Sequence, residues 1–316
     1  MEAIIGTDVD RAAQLLSEGS IVAIPTETVY GLAANAFDAT AVLRVFEAKQ
    51  RPSFDPLIVH VCEREQVLLL VSEFPPGTRE LMDAFWPGPL TLVLPKRTTV
   101  PDIVTSGLDT VGVRMPAHPL ALELLRSLEF PLAAPSANPF GYVSPTTAQH
   151  VAAQLGDRIP YILDGGACTV GVESTIVGWD GDRWNLYRPG GIGVEAIERV
   201  IGSVHVAQRS VLPVAPGMLE SHYAPRKPLH VGDVDALLPR FAGKRVGIIS
   251  FHRPWPAPGC RVLSPRADLS EAARNLFAAL RELDASDCDV IVAERFPEEG
   301  LGRAINDRLR RAAAQR

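Results

Sequence analysis

Lys49 and Arg51 stand two residues apart in the part of this sequence that is richest in polar chemistry. They follow a predicted helix over 39–48, and they lie between a hydroxyl-rich turn, 25–28, and His60, which ends an apolar run. Arginine offers a planar fork to phosphate oxygens, and lysine offers a point charge. The pattern suits a small polyanion such as a nucleotide phosphate. A Lys-x-Arg pair at a helix end is, however, more often a solvated face that complements the helix dipole.

Further polar side chains occur where predicted strands end. Arg114 lies in a mostly apolar strand, where a buried arginine needs a partner, either a ligand carboxylate or an internal acid. Ser136 and Asn138 present a hydroxyl and an amide on one side of an extended chain, although this pattern alone is more typical of an ordinary turn. Arg188 ends a strand before two glycines, either as an anion ligand or as an exposed arginine at a turn.

Two other candidates depend on the local backbone. Ser144, just before a proline, is predicted to cap a helix N-terminus, where free N–H groups can receive phosphate. His222 and Tyr223 lie in an aperiodic segment, which predicts either a lid that folds over a site or a linker that packs its ring on the surface. The motifs GxxxxGK[ST], GxGxxG, GxSxG and HExxH are absent from the sequence.

The composition is that of a globular protein. The chain has 316 residues, is 47% hydrophobic and 22% charged, and is predicted to form two domains. Its net charge of -6 argues against a broad nucleic-acid footprint. The four cysteines are far apart and form no CxxC pair, which indicates neither a zinc site nor a disulfide framework. With no signal-peptide pattern and no long apolar run, we predict a cytoplasmic protein.

Short strand-like runs and helical patterns mix without strict alternation, which predicts an α/β (or α+β) fold with a twisted mixed sheet. The predicted units are a catalytic domain at 1–202, a linker or lid at 203–228 and a small parallel α/β domain at 229–316. The last unit shows the order strand, helix, strand, helix, which is typical of a parallel sheet. Helices are also predicted over 64–73 and over 270–283, the second with Ser270 as its N-cap.

Nine segments together resemble the threonylcarbamoyl-AMP synthase family, whose fold is YrdC-like, in its long two-domain form. They are PTETVYGL (25–32), KxR (49–51), PLIVH (56–60), WPGPLT (86–91), GLDTVGVRMP (107–116), APSAN (134–138), GVEST (171–175), RPG (188–190) and PGM…HYAP (216–225). Each segment is weak alone, but nine in order at appropriate spacing are highly specific. The C-terminal unit matches less sharply and is compatible with the small Rossmann-like extra domain of the family.

The resemblance implies both a reaction and its site residues. L-threonine, bicarbonate and ATP would give L-threonylcarbamoyladenylate and pyrophosphate, with Mg²⁺ carried by the ATP. The L-threonine pocket would comprise Thr28, His60, Arg114, Ser136 and Ser174. The ATP site would comprise Lys49, Arg51, Asp55, Thr110, Asn138, Ser144, Arg188 and Tyr223, with Lys49 and Arg51 as the catalytic cations. Asp55 departs from the asparagine that the family often has, so its carboxylate would act through a metal or cap a turn.

A nucleotidyltransferase of this kind needs little protein nucleophilicity, because positioned cations stabilise the charge that grows on the phosphates. The product would serve the threonylcarbamoyl modification of adenosine 37 in tRNA, which a separate complex completes. A competing interpretation is a non-catalytic module that binds double-stranded RNA or tRNA, which the net charge of -6 weakens. A third is a carbamoyltransferase-type domain using carbamoyl phosphate, which the lack of cysteine pairs for zinc modules weakens.

Overall fold

A computed structural model describes residues 2–206 and 220–314 of the chain. Its strands are β1 (Ile4–Gly6), β2 (Val22–Ile24), β3 (Gly31–Asn35), β4 (Ile58–His60), β5 (Leu90–Pro95), β6 (Thr110–Arg114), β7 (Leu132–Ala133), β8 (Tyr161–Leu163), β9 (Thr175–Trp179), β10 (Trp184–Arg188), β11 (His205–Val206), β12 (Leu229–Val231), β13 (Val246–Ser250), β14 (Cys260–Val262) and β15 (Val290–Ala293).

The helices are α1 (Val9–Ser17), α2 (Ala39–Lys49), α3 (Thr78–Phe85), α4 (Asp102–Thr105), α5 (Pro119–Arg126), α6 (Ala148–Leu155), α7 (Val194–Ile201), α8 (Val234–Leu237), α9 (Leu269–Ala285) and α10 (Gly300–Ala313), with 3-10 turns at Glu65–Leu69 and Leu238–Phe241. Within the described residues, no helix combines the length and the hydropathy that a bilayer span requires.

The larger sheet contains strands β1 to β11 in the spatial order β1-β8-β2-β3-β7-β4-β6-β5-β9-β10-β11. Some neighbours are parallel, as β4 is to β6, and others are antiparallel, as β2 is to β3. The predicted mixed sheet is therefore confirmed. In the register of β4 and β6, His60 lies opposite Arg114, so two polar side chains from distant parts of the sequence end adjacent strands together.

Helices cover both faces of this sheet. Neighbouring side chains in a strand point to opposite faces, and consecutive residues of β2 accordingly belong to different cores. Val22 and Ile24 pack with α1 and α5, whereas Ala23 belongs to a larger core that includes residues of α2, α3 and α6. The sheet is thus the middle layer of an α/β/α arrangement, and its loops are left to form the site.

The C-terminal part forms a separate four-stranded sheet with the order β12-β15-β13-β14, in which every pair is parallel. This confirms the predicted small parallel α/β unit. Helices α9 and α10 pack together beside it, and their core also contains Val29, Val143 and Val172 from the first domain. The two units therefore share apolar side chains where they meet. The predicted boundaries at 202 and 228 stay predictions, and residues 207–219, with the PGM of the linker motif, lie outside the described residues.

Three local predictions were wrong. Helix α6 is capped by Thr147, whose hydroxyl accepts a hydrogen bond from the His150 N–H, and not by Ser144. The N-cap of α9 is Asp268 rather than Ser270, because its carboxylate accepts from two backbone N–H groups of the first turn. The helical pattern over 64–73 forms only the 3-10 turn Glu65–Leu69. In the first two cases a nearby side chain accepts the first-turn hydrogen bonds in place of the expected cap. In the third, Val71 forms a bridge with Lys96 and the Ser72 N–H donates to the Pro95 carbonyl, so the helix does not continue.

Candidate active site

A small cavity of about 50 Å³ brings together residues from eight separate parts of the chain. Its lining consists of Thr26, Thr28, Val29, Gly31, Arg51, Ile58, His60, Arg114, Ala134, Pro135, Ser136, Glu173, Ser174, Arg188, His222 and Tyr223. All five residues of the predicted L-threonine set are among them, as are three of the predicted ATP set, Arg51, Arg188 and Tyr223. A single cavity is thus lined by hydroxyls, two imidazoles, three guanidinium groups and one carboxylate.

The turn after β2 is held by its own hydroxyl groups. The Thr26 hydroxyl accepts hydrogen bonds from the N–H groups of Thr28 and Val29, at 3.1 and 3.2 Å, and donates to the Val29 carbonyl at 2.6 Å. Thr28 Oγ1 lies 2.8 Å from the Thr26 hydroxyl and accepts from Arg114 Nη1 at 2.9 Å. The turn is therefore rigid, and it fixes the Thr28 hydroxyl against the Arg114 guanidinium.

Arg114 has an internal acidic partner. Its Nη2 lies 2.6 Å from Oε1 of Glu27, and both side chains are almost completely buried. Its Nε donates to the Gly88 carbonyl at 3.3 Å. Of the two partners that the sequence left open for Arg114, the internal acid is present, since Glu27 in the turn after β2 supplies it. A ligand carboxylate at Arg114 would therefore share the guanidinium with Glu27.

His60 is neutral in this environment. It is buried at the end of β4, and its Nδ1 lies 3.3 Å from the Ile58 carbonyl. Burial, followed by the charge of Arg114, lowers the pKa of His60 to about 3. An uncharged imidazole beside a guanidinium adds a hydrogen-bonding group to the cavity without adding to its positive charge.

Lys49 holds the loop that carries Ser136. It is buried at the end of α2, and its Nζ donates to the carbonyls of Ser136 and Asn138, both at 2.5 Å. The Asn138 amide in turn donates to the Pro139 and Tyr142 carbonyls, each at 2.9 Å. Burial and the neighbouring Arg51 hold the pKa of Lys49 well below its ordinary value. Lys49 and Asn138 therefore do not line the cavity but support the loop that carries Ser136. Because Lys49 and Arg51 are both buried, the interpretation of the Lys-x-Arg pair as a solvated face was wrong.

Arg51 leaves α2 through Gln50, whose left-handed backbone (φ 52°) redirects the chain into the cavity. Its Nη2 lies 2.9 Å from Oδ2 of the buried Asp55, and its Nε and Nη2 also donate to the carbonyls of Asp55 and Pro56. Burial raises the pKa of Asp55 although Arg51, Lys49 and Arg188 oppose that shift. Asp55 thus orients the Arg51 guanidinium through this ion pair, while Asp55 itself does not line the cavity.

Arg188 and Ser174 form a second cationic corner. Arg188 is buried at the end of β10, so the exposed-arginine alternative was wrong. Its Nη2 donates to the Ser174 carbonyl at 3.0 Å and to the Ser174 hydroxyl at 3.1 Å. The Thr91 hydroxyl lies 2.8 Å from the Ser174 hydroxyl. The Ser174 hydroxyl is thereby fixed in orientation beside a buried positive charge.

His222 and Tyr223 close the cavity from the segment that follows the undescribed residues. Tyr223 is 1% exposed, and its hydroxyl has no hydrogen-bond partner among the described residues. The His222 and Tyr223 rings meet edge to face, with centroids 4.2 Å apart. Burial and Glu173 raise the pKa of Tyr223, so its hydroxyl keeps the proton. A buried, unpaired hydroxyl at the cavity wall is a donor available to a ligand.

Besides Lys49, Asp55 and Asn138, two further members of the predicted ATP set lie away from the cavity lining. Thr110 is the first residue of β6, at the opposite end of that strand from Arg114, so its role in ATP binding stays a prediction. The Ser144 hydroxyl donates to Oε1 of Glu173 at 2.6 Å and is completely buried. Among the described residues, no group of three or more His, Cys, Asp and Glu side chains is arranged to hold a metal ion.

Glu27 and Glu173 were not predicted as site residues from the sequence. Glu173 lines the cavity directly, and Glu27 pairs with Arg114. Each lies within a segment that contains a predicted site residue, PTETVYGL or GVEST. In both segments a glutamate stands next to a hydroxyl residue. Because buried cations need counter-charges, these glutamates were the available signal in the sequence.

Two family models match the chain. One, described as "Telomere recombination", matches residues 14–190. The other, described as "Threonylcarbamoyl-AMP synthase, C-terminal domain", matches residues 192–314. The two matches follow each other along the chain, as the two sheets do.

Relatives match the chain over nearly its whole length. The threonylcarbamoyl-AMP synthase of Pyrococcus abyssi is 46% identical over 96% of this chain and 94% of its own length. That of Bacillus subtilis is 45% identical over 97% of this chain and 93% of its own. A crystal structure of P. abyssi Sua5 complexed with L-threonine is 45% identical, with a TM-score of 0.91 over 96% of this chain and 94% of that one.

Proposed function

This chain belongs to the threonylcarbamoyl-AMP synthase family, and we propose that it joins L-threonine, bicarbonate and ATP into L-threonylcarbamoyladenylate, with release of pyrophosphate. The observation that carries the proposal is the shared cavity, where Thr28, His60 and Arg114 meet Arg51 and Arg188. The first three suit an amino acid and the last two suit a phosphate chain. Adjacent subsites of these two kinds are what a nucleotidyltransferase acting on threonine requires.

The threonine subsite is assigned to Thr28, His60, Arg114, Ser136 and Ser174. Arg114 would bind the threonine carboxylate, since a charge-assisted bond to a guanidinium is strong and directional. The neutral His60 and the fixed hydroxyls of Thr28 and Ser174 then suit the amine and the hydroxyl of the substrate. The L-threonine complex of the P. abyssi protein, 45% identical to this chain, supports the assignment.

The ATP subsite is assigned to Lys49, Arg51, Asp55, Thr110, Asn138, Ser144, Arg188 and Tyr223. Arg51 and Arg188 face the cavity, and Tyr223 offers an unpaired hydroxyl. Four members of the set do not line the cavity and would act indirectly, through hydrogen bonds or ion pairs with the lining residues or their loops: Lys49, Asp55, Asn138 and Ser144. Mg²⁺ would accompany the phosphates, and among the described side chains Asp55 is the carboxylate nearest the phosphate-binding Arg51.

The reaction then needs two steps. The neutral threonine amine attacks the carbon of bicarbonate, the C–N bond forms, and the bicarbonate hydroxyl leaves with the amine proton as water. Attack on carbon dioxide gives the same carbamate, and the amine proton is then released to solvent. A carbamate oxygen attacks the α-phosphorus of ATP, the bond to the bridging oxygen breaks, and pyrophosphate leaves. Negative charge moves onto the leaving phosphates, where Arg51 and Arg188 are already fixed by their carbonyl and carboxylate partners. Preorganised cations of this kind lower the barrier without reorganising during the reaction.

The cavity of about 50 Å³ is well below the roughly 300–1,000 Å³ of pockets that hold small-molecule ligands. His222 and Tyr223 occupy one wall, so we assign the lid role to their segment. Displacement of these two rings would admit ATP, and their return would shield the labile mixed anhydride from water. The product would pass to a separate complex that modifies tRNA.

The proposal is tested by measuring pyrophosphate release from ATP in the presence and absence of L-threonine and bicarbonate. The expected result is release that depends on both. Replacing L-threonine by L-valine, which lacks the hydroxyl, serves as the matched control and should lower the rate. Binding of tRNA without any threonine-dependent release would instead support the RNA-binding module.

A further inference from the structure

A buried ion pair links the C-terminal domain to the cavity lining. Arg308, on α10, is completely buried, and its Nε donates to Oε2 of Glu173 at 2.7 Å. Glu173 lines the cavity beside Ser174 and Arg188. The C-terminal domain therefore supplies, through Arg308, the positive charge that balances the Glu173 carboxylate in the proposed anion site.

Arg308 also contacts the backbone and the ring that adjoin the cavity. Its Nη1 donates to the Pro189 carbonyl at 2.9 Å, next to Arg188, and lies 3.0 Å from Oδ2 of Asp307. Its guanidinium carbon lies 5.1 Å from the centroid of the Tyr223 ring, within cation–π range. One side chain thus touches both the acid and the lid tyrosine.

The acid it neutralises stands where negative ligands would bind. Ser144 donates to Oε1 of Glu173 and Arg308 donates to Oε2, so both carboxylate oxygens are engaged away from the cavity. Burial opposes the ionisation of Glu173, yet Arg308 and Arg188 lower its pKa below the ordinary value. An ionised carboxylate in this position would repel a triphosphate unless its charge were balanced.

We propose that Arg308 is a positioning residue of the active site, which balances the charge of Glu173 and holds the Tyr223 ring, so that docking of the C-terminal domain sets the affinity for ATP. The role is indirect, because Arg308 does not line the cavity and acts through two residues that do. The inference rests on the proposed function.

The test compares the variants Arg308→Gln, Glu173→Gln and their double mutant in steady-state kinetics with ATP and L-threonine. We expect Arg308→Gln to raise the KM for ATP on the order of tenfold, because Glu173 is left uncompensated. Glu173→Gln should lower the KM for ATP, because it removes a negative charge from the lining of the proposed phosphate site. The double mutant should recover most of the lost ATP affinity. A structural role alone would not give opposite effects from the two single variants.

Arg303→Gln is the matched control. Arg303 lies on the same helix and also joins the two domains, with Nη1 2.9 Å from Oε1 of Glu195, but it does not line the cavity. This variant should keep the wild-type KM for ATP.

The inference is overturned if Arg308→Gln leaves the KM for ATP within about twofold of wild type, if the double mutant shows no recovery, or if Glu173→Gln raises that KM. If Arg308→Gln does not fold, Glu173→Gln and the double mutant still decide. Absence of product from the wild type would refute the proposed function instead, and calorimetry of ATP binding to the same variants would then test the inference.

Discussion

The Arg114–Glu27 pair separates substrate binding from stability in one experiment. The two groups lie 2.6 Å apart with side chains only 5% and 7% exposed, so each is the counter-ion of the other. Arg114→Gln leaves Glu27 buried without its partner, which costs about 3–5 kcal/mol of folding free energy. It also removes the proposed partner of the threonine carboxylate. Loss of a charge-assisted bond of about 1.5–3 kcal/mol corresponds to a roughly 10-fold to 100-fold weaker affinity.

The double mutant Arg114→Gln with Glu27→Gln distinguishes the two effects. Both buried charges are then gone, so most of the stability should return, as measured by urea unfolding. The affinity for L-threonine, measured by calorimetry, should stay low, because the guanidinium assigned to its carboxylate is absent. Arg97→Gln is a control, because Arg97 binds the Val71 carbonyl at 3.0 Å and does not line the cavity. Recovery of threonine affinity in the double mutant would refute the assignment of Arg114.

Three other predictions follow from the site geometry. Arg51→Ala should slow threonine-dependent pyrophosphate release about 100-fold, or about 3 kcal/mol, and near-normal turnover would refute its role. Tyr223→Phe should keep or raise the stability of the ligand-free protein, since the buried Tyr223 hydroxyl has no partner among the described residues. The same variant should reduce the rise in melting temperature that ATP causes, because a donor to ATP is lost. An unchanged rise would show that Tyr223 does not belong to the ATP site. Because the pKa of His60 falls to about 3 from 6.5, the unfolded chain takes up a proton that the native protein refuses, and stability decreases as pH falls below about 6.5. Between pH 7 and pH 5, urea unfolding should show a loss on the order of 2 kcal/mol larger in wild type than in His60→Gln, and equal losses would contradict the neutral imidazole.

Much of the cavity lining was predictable because its residues lie at strand ends within short segments. The sequence predicted that Arg188 ends a strand, and Arg188 is the last residue of β10. His60 and Arg114 likewise end β4 and β6, and register then pairs them. Local sequence patterns predict which residue ends a strand, and the C-terminal ends of adjacent parallel strands lie at the same edge of the sheet.

The charge partners could not be predicted in the same way. Glu173 and Arg308 are 135 residues apart in the sequence and meet only when α10 docks on the first domain. The role of Lys49 in holding the Ser136 loop depends equally on the tertiary fold. Strands such as Gly31–Asn35 were also missed, because GLAAN contains no β-branched residue and is a strand through its neighbours β2 and β7.

The most direct test of the account is detection of its product by mass spectrometry. Purified protein is incubated with ATP, Mg²⁺, L-threonine and isotopically labelled bicarbonate, and the quenched mixture is examined at once for threonylcarbamoyl-AMP. We expect this product to carry the label in its carbamoyl carbon and to be absent when L-threonine is omitted. ATP bound or cleaved without any labelled adenylate would contradict the claim that one cavity joins an amino acid to a nucleotide.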